Sequence, residues 1–246
     1  MSRFVIKAHD CEKNLARLEL TDYQCYNIKD THMNVITIDG PSAAGKGTLG
    51  AILAERLDCF YLDSGLWYRQ FTAWALDAVI DLDDESAVCK LVDHNLRVLN
   101  LDCGESDMLR TPEVSAAASK VARFQSIRTL ANQLQRDFVS VASKWVVIDG
   151  RDAGTVVFPD AKIKLFVTAS PDVRAKRRYD QLVERGYASE IKSLEEEIVQ
   201  RDMRDQNREI APLKPAPDAY IIDTSEETAD KSVQRILKYL ERYMSA

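Results

Sequence analysis

Val35-Ile36-Thr37-Ile38-Asp39-Gly40-Pro41-Ser42-Ala43-Ala44-Gly45-Lys46-Gly47-Thr48 is the stretch on which the reading of this chain turns. Val35–Asp39 has the apolar, β-branched composition of a buried strand, and a periodic helical segment over about 46–57 follows. Between them, glycines let the chain wrap so that successive backbone N–H groups point inward at an anion. The helix N-terminus adds positive potential and Lys46 a full charge. The spacing therefore implies a cradle for the phosphates of a nucleoside triphosphate, formed by Gly40, Pro41, Ser42, Ala43, Ala44, Gly45, Lys46, Gly47 and Thr48. The usual pattern places Ser or Thr directly after the lysine; here Gly47 intervenes before Thr48.

Outward from the cradle, strand-like runs at Val35–Asp39, Cys59–Asp63, Trp145–Asp149, Lys162–Thr168 and Ala219–Asp223 alternate with helix-like segments. The helices are expected at about 65–79, 126–143, 171–185 and 229–243, besides 46–57. Such alternation implies an α/β fold, a parallel sheet flanked by helices, with ligands at the carboxyl ends of the strands. Two stretches depart from it. Residues 80–111 are acidic and read as an irregular inserted lobe. Residues 186–218 read as a charged helical flap stopped by Pro212, Pro215 and Pro217. Residues 1–32 are polar and weakly patterned. Two readings stay open there: an extension packing on the surface, or a chain that begins at Met33.

Composition narrows the classes. The chain has 246 residues, 46% hydrophobic and 29% charged, and no uninterrupted apolar run exceeds four residues. Neither a membrane span nor a secretory signal is expected. Five cysteines form no C-x-x-C pair, which reads as reduced thiols in a cytoplasmic protein. With 33 basic against 39 acidic residues and a net charge of −6, nucleic acid is not an expected partner.

A cradle alone states only that a nucleoside triphosphate binds; the arginines say more. Transfer between two phosphates needs cations around the moving group, and the attacking phosphate oxygen needs no general base. Arginine's planar fork suits two-point contact with phosphate. Arg69 follows the second strand, and Arg151 follows the third within Asp149-Gly150-Arg151-Asp152. On the flap, Arg201, Arg204, Asp205 and Arg208 are spaced to share one helical face. Arg174 and Arg177 stand in a further basic cluster after the fourth strand, and Arg177, with Arg174, is placed to close on the triphosphate. His9, His32 and His94 have no catalytic setting.

Taken together these stretches resemble the bacterial cytidylate (CMP) kinases, a P-loop nucleoside monophosphate kinase family. The likeness runs over about 34–244, through Ile36–Thr48, Leu62-Asp63-Ser64-Gly65 with Tyr68-Arg69, and Arg110-Thr111-Pro112-Glu113-Val114. It continues in Asp149–Asp152, Gly154–Ala161, Arg201–Arg208 and Ala211-Pro212-Leu213. It implies a P-loop kinase core over 34–246, an inserted NMP-binding lobe at about 64–125 and a helical lid at about 186–218, with 1–33 as an extension.

By the same resemblance the reaction is ATP-dependent phosphorylation of CMP and dCMP in pyrimidine metabolism, by a cytoplasmic monomer that uses Mg²⁺. Lys46, Arg151, Arg204 and Arg208 would be catalytic, and Thr48 and Asp149 would place Mg²⁺ directly or through water. Ser64, Arg69, Arg151 and Arg208 would meet the acceptor phosphate, Arg201 and Asp205 the sugar, and Ser119, Arg128 and Asp152 the base, with Tyr68 also among the substrate-binding residues. Cytosine's amine beside two acceptors is complemented by a carboxylate and an arginine. Uracil would leave buried polar groups unpaired at about 1–3 kcal/mol each. Ala43, Ala153 and Trp67 depart from the family pattern. Ala43 is tolerable if its φ stays negative, and Trp67 is expected to reshape the acceptor pocket. The alternatives are a kinase of UMP or AMP and a non-catalytic nucleotide-binding protein.

Overall fold

The computed structural model describes residues 34–98 and 107–244. They fall into two compact units, one of Ser64–Ser143 and one of Asn34–Asp63 with the chain from Lys144 onward. The readings made for residues 1–33, including His9, His32, Cys11 and Cys25, lie outside the described residues, as do Asp102, Cys103 and Glu105. Among the described residues no helix is long and apolar enough to cross a membrane.

The second unit is built on five strands: β1 (Val35–Asp39), β2 (Phe60–Asp63), β3 (Val146–Gly150), β4 (Ile163–Thr168) and β5 (Tyr220–Asp223). They form one sheet in the order β2-β3-β1-β4-β5, and every pairing is parallel. The α/β reading is thus met. β1 and β3 are buried along their whole length, which explains why both read as continuous apolar runs. Helix α1 (Lys46–Arg56) packs Leu49, Leu53 and Ala54 into a core with Ile36, Ile38, Val147, Leu165 and Ile222. Register sets Asp63 beside Asp149, Asp39 between Gly150 and Phe166, and Asp223 beside Thr168, so the carboxyl edge of the sheet carries four carboxylates.

The first unit is helical: α2 (Gly65–Asp77), α3 (Glu85–Val98), a 3₁₀ turn at Asp107–Arg110, α4 (Pro112–Val121) and α5 (Gln125–Val141). Trp67, Phe71, Val88, Val92, Leu96, Ile127 and Ala131 form its core. The expectation of an irregular lobe over 80–111 is corrected by α3. Asp84 accepts from the Ala87 N–H at 3.0 Å, and Val88, Val92 and Leu96 recur every fourth residue on the buried face. The acids Asp81, Asp83 and Asp84 lie in the turn that leads into the helix, not along it. Likewise α4, not anticipated, starts where Thr111 Oγ1 accepts from the Val114 N–H at 3.2 Å and Pro112 takes the first helical position.

Three further helices belong to the second unit: α6 (Pro171–Glu184), α7 (Ile191–Asn207) and α8 (Ala229–Met244). Leu194 and Ile198 of α7 pack on Ala175 and Leu182 of α6.

Candidate active site

The cradle begins with a turn that only glycine can make. Gly40 has φ +150°, and a Cβ there would stand 1.9 Å from the Val167 carbonyl oxygen. Lys46 is buried and its Nζ donates to the Pro41 carbonyl at 2.7 Å. Burial, and then Arg151 and Arg201, push this ammonium down to about 7, against the opposing pull of Asp149 and Asp39. An anion beside Lys46 would favour its charged form. Ala43 has φ 59°, so the condition on which a side chain there was tolerable, a negative φ, is not met. The turn demands a left-handed residue, at a cost of about 1–2 kcal/mol for a side chain with a Cβ.

Asp149 lies against the cradle: a Cβ on Gly47 would stand 3.4 Å from its Oδ2. That same oxygen accepts from the Tyr61 hydroxyl at 2.6 Å. Thr48, one residue on, is exposed. A hydroxyl and a carboxylate are hard oxygen donors, and Mg²⁺ bound alongside phosphates keeps several waters, so these two residues suit that ion.

Past β3, Asp152 is buried and precedes a π-helical turn, Ala153–Val157. The turn is held from β1, where Asp39 accepts from the Ala153 and Gly154 N–H groups at 2.8 and 2.7 Å. A Cβ on Gly154 would meet Thr37 Oγ1 at 2.6 Å, so the close approach requires glycine. Burial raises the Asp39 carboxyl to about 6, the two N–H bonds opposing it.

Three arginines, Arg201 and Arg208 of the flap and Arg151 after β3, act on one carboxylate. Asp205 is buried, with Arg151 Nε at 3.3 Å and Arg208 Nη1 at 3.9 Å. Burial pushes its carboxyl up, but Arg151, Arg201 and Arg208 outweigh it and hold the group below the ordinary range. Arg208 stands just past the end of α7 and donates from Nε to the Ala211 carbonyl at 2.7 Å. Arg204 is exposed, unlike Asp205, so the expectation of one shared face for all four is corrected. The 100° advance per residue leaves it on the flank of the stripe.

Arg177 borders the cradle, its Nη1 3.7 Å from where a Gly45 Cβ would be, and bonds the Thr224 hydroxyl and carbonyl at 2.9 and 2.7 Å. Arg174 is another matter. Its guanidinium is buried and donates to protein groups at all three nitrogens, which corrects its assignment to the triphosphate.

In the first unit, Ser64 is the buried N-cap of α2, with Tyr68 and Arg69 half-buried along the helix. Arg128 on α5 is buried, donates to the Ala122 carbonyl at 3.1 Å and lies 5.8 Å from the Tyr68 ring centre. Ser119 Oγ donates to the Ala116 carbonyl at 2.9 Å. Trp67 packs in the unit's apolar core beside Phe71 and Ile127.

A family model described as cytidylate kinase matches residues 36–242, which takes in both units. The chain belongs to the cytidylate kinase family. Cytidylate kinase 1 of Haemophilus influenzae is 44% identical over 218 residues, which are 85% of this chain and 94% of that protein. The cytidylate kinase of Pasteurella multocida is 43% identical over 220 residues, 85% and 96% of the two chains. Among solved structures, shikimate kinase from Bacteroides thetaiotaomicron covers 84% of this chain and 98% of its own, at 20% identity and a TM-score of 0.46.

For a cytidylate kinase, four residues here matter beyond those the sequence reading singled out. Asp39 braces the turn behind Asp152, Tyr61 orients Asp149, Thr224 anchors Arg177, and Asp202 receives Arg174. Asp39 carried a signal, since an acid ending an otherwise apolar strand is costly to bury without a task. Tyr61, Thr224 and Asp202 act across strand and helix pairings that no local spacing displays.

Proposed function

We propose that this chain transfers the γ-phosphoryl group of ATP to CMP and dCMP, giving ADP and CDP or dCDP, as a cytoplasmic monomer. The observation that carries the reading is the gathering of Arg151, Arg201 and Arg208 around the buried Asp205, with Arg151 and Arg201 also acting on Lys46 of the cradle. Such a group of cations, bound to one another's carboxylate while substrate is away, suits the negative charge of two phosphorylated substrates. A phosphate that arrives displaces Asp205 as the arginines' partner without their having to be gathered from solvent.

Lys46 and the cradle N–H groups would hold the β- and γ-phosphates, and Arg177 would close on the triphosphate. Arg151, Arg204 and Arg208 would surround the transferring group, Arg204 reaching it from its exposed position. Ser64, Arg69, Arg151 and Arg208 would take the acceptor phosphate, and Arg201 and Asp205 the sugar, with Tyr68 also among the substrate-binding residues. Ser119, Arg128 and Asp152 would read cytosine. Thr48 and Asp149 would hold Mg²⁺, which supplies charge neutralisation at the phosphate oxygens when bound.

The test is ADP formation with Mg²⁺-ATP against CMP, dCMP, UMP, AMP and GMP. Turnover confined to CMP and dCMP is expected. A preference for UMP or AMP would remove the base-reading roles, and ATP binding with no acceptor-dependent turnover would leave only a nucleotide-binding protein. Light scattering at assay concentration checks the monomer.

A further inference from the structure

Arg174 sits outside the set of residues assigned to substrate, yet it is among the most deeply buried charges in its unit, 3% exposed. Its three nitrogens go to three different elements. Nε donates to the Ala169 carbonyl at the end of β4 at 2.8 Å. Nη1 reaches the Ser42 carbonyl of the cradle at 3.3 Å. Nη2 pairs with Asp202 Oδ2 of α7 at 2.6 Å, with the two side chains 4% and 14% exposed.

We propose that Arg174 is a positioning residue for the phosphoryl donor: one guanidinium fork carries the Ser42 carbonyl of the cradle and the Asp202 carboxylate of α7. The geometry of the cradle and the placement of α7 are thereby linked. The inference rests on the reading of the cradle as the ATP site. A guanidinium is planar and rigid, so its nitrogens cannot move independently. A shift of Asp202 is passed to Ser42, and the reverse. Asp202 stands next to Arg201 and three residues before Asp205, within the run assigned to the acceptor.

A second contact runs beside the first. Ala43, adjacent to Ser42 and left-handed, packs against the apolar cluster of Ala175, Leu182, Leu194 and Ile198 that joins α6 to α7. The cradle is thus seated on the base of the flap by a charge pair and by a methyl group. Asp202 Oδ1 is buried without a hydrogen-bond partner, so the carboxylate is engaged on the Arg174 side alone. A pin serving only to stiffen the fold would not need to pass through the cradle carbonyl.

The full chain is titrated calorimetrically with Mg²⁺-ATP in the absence of acceptor, as wild type, Asp202→Asn, Arg174→Lys and the double variant. Electrostatics alone would make Asp202→Asn bind ATP as well as wild type or better, because a negative charge is removed near an anion. Positioning makes it bind more weakly, by about 5–10-fold, and Arg174→Lys, which keeps the charge and loses the fork, by at least as much. The double variant should be no weaker than Arg174→Lys, because both changes break one linkage.

Asp202→Asn with wild-type or tighter ATP affinity, whatever its melting temperature, overturns the proposal. If that variant does not fold, Arg174→Lys decides, and unchanged ATP affinity there overturns it equally. Wild-type turnover with CMP is measured in parallel. Its absence would remove the acceptor reading and leave the ATP affinities to decide this inference.

Discussion

Lys46 offers a charge that its buried, arginine-flanked position does not favour and that ATP should restore. Its ammonium is held down to about 7 by burial, followed by Arg151 and Arg201. At pH 8 roughly 0.1 of the free protein is then protonated at Lys46, and at pH 6 roughly 0.9. A triphosphate returns the group to the charged form, so ATP binding at pH 8 should take up about 0.9 proton. The phosphate's own second ionisation, near about pH 6, is complete by then. Calorimetry in buffers of different ionisation enthalpy measures this directly. The slope of observed enthalpy against buffer enthalpy should be close to +0.9 at pH 8. Lys46→Met should abolish the pH 8 slope. A pH 8 slope near zero in the wild type would refute the reasoning. The sign for stability follows as well. Between pH 7 and 10.5 the native lysine has lost a proton that the unfolded chain keeps, so the free protein gains stability as pH rises through that window.

Three further outcomes are expected. Arg208→Ala should lower kcat by at least about 100-fold, since the arginine paired to Asp205 is assigned to the transferring group; near-normal kcat would remove that assignment. Asp39→Asn leaves one of the Ala153 and Gly154 N–H groups facing an amine, and should cost about 1–3 kcal/mol by denaturant titration. It should also remove a pH term of definite sign: from 3.8 to about 6 the native carboxyl keeps a proton the unfolded chain has lost, so wild-type stability declines across that range. Val79, 90% exposed at φ 55° just past α2, is a β-branched residue in the left-handed region. Val79→Gly should raise stability by about 0.5–1 kcal/mol and Tm by roughly 1–4 °C with ATP affinity unchanged; a fall in Tm would show the strain is absent.

What was legible in the sequence followed the strength of the local signal. β1 and β3 are covered on both faces and apolar but for Thr37 and the carboxylates near their ends, Asp39 and Asp149, and the glycine turn between β1 and α1 has few alternatives, so sheet and cradle could be read directly. The helix over 85–98 was obscured by the acidic run Asp81, Asp83, Asp84 and Glu85 that leads into it, although Val88, Val92 and Leu96 keep a four-residue spacing. Ala43 gives no sign of its positive φ, since the turn imposes it. Arg204 looked equivalent to Arg201 and Arg208 by spacing, and only the packing of α7 separates an exposed flank from a buried stripe. Arg174 and Arg177 stand three residues apart in one basic cluster. Nothing local tells that the first is consumed by the Ala169 and Ser42 carbonyls and Asp202 while the second borders the cradle.

The central claim is a bond made to the phosphate of CMP. Phosphorus NMR of ATP, Mg²⁺ and CMP with the enzyme follows it atom by atom. The account expects the γ resonance of ATP to fall as the β resonances of ADP and CDP rise in equal amounts, with no inorganic phosphate released. Growth of inorganic phosphate in place of CDP, or a spectrum unchanged by the enzyme, would contradict it.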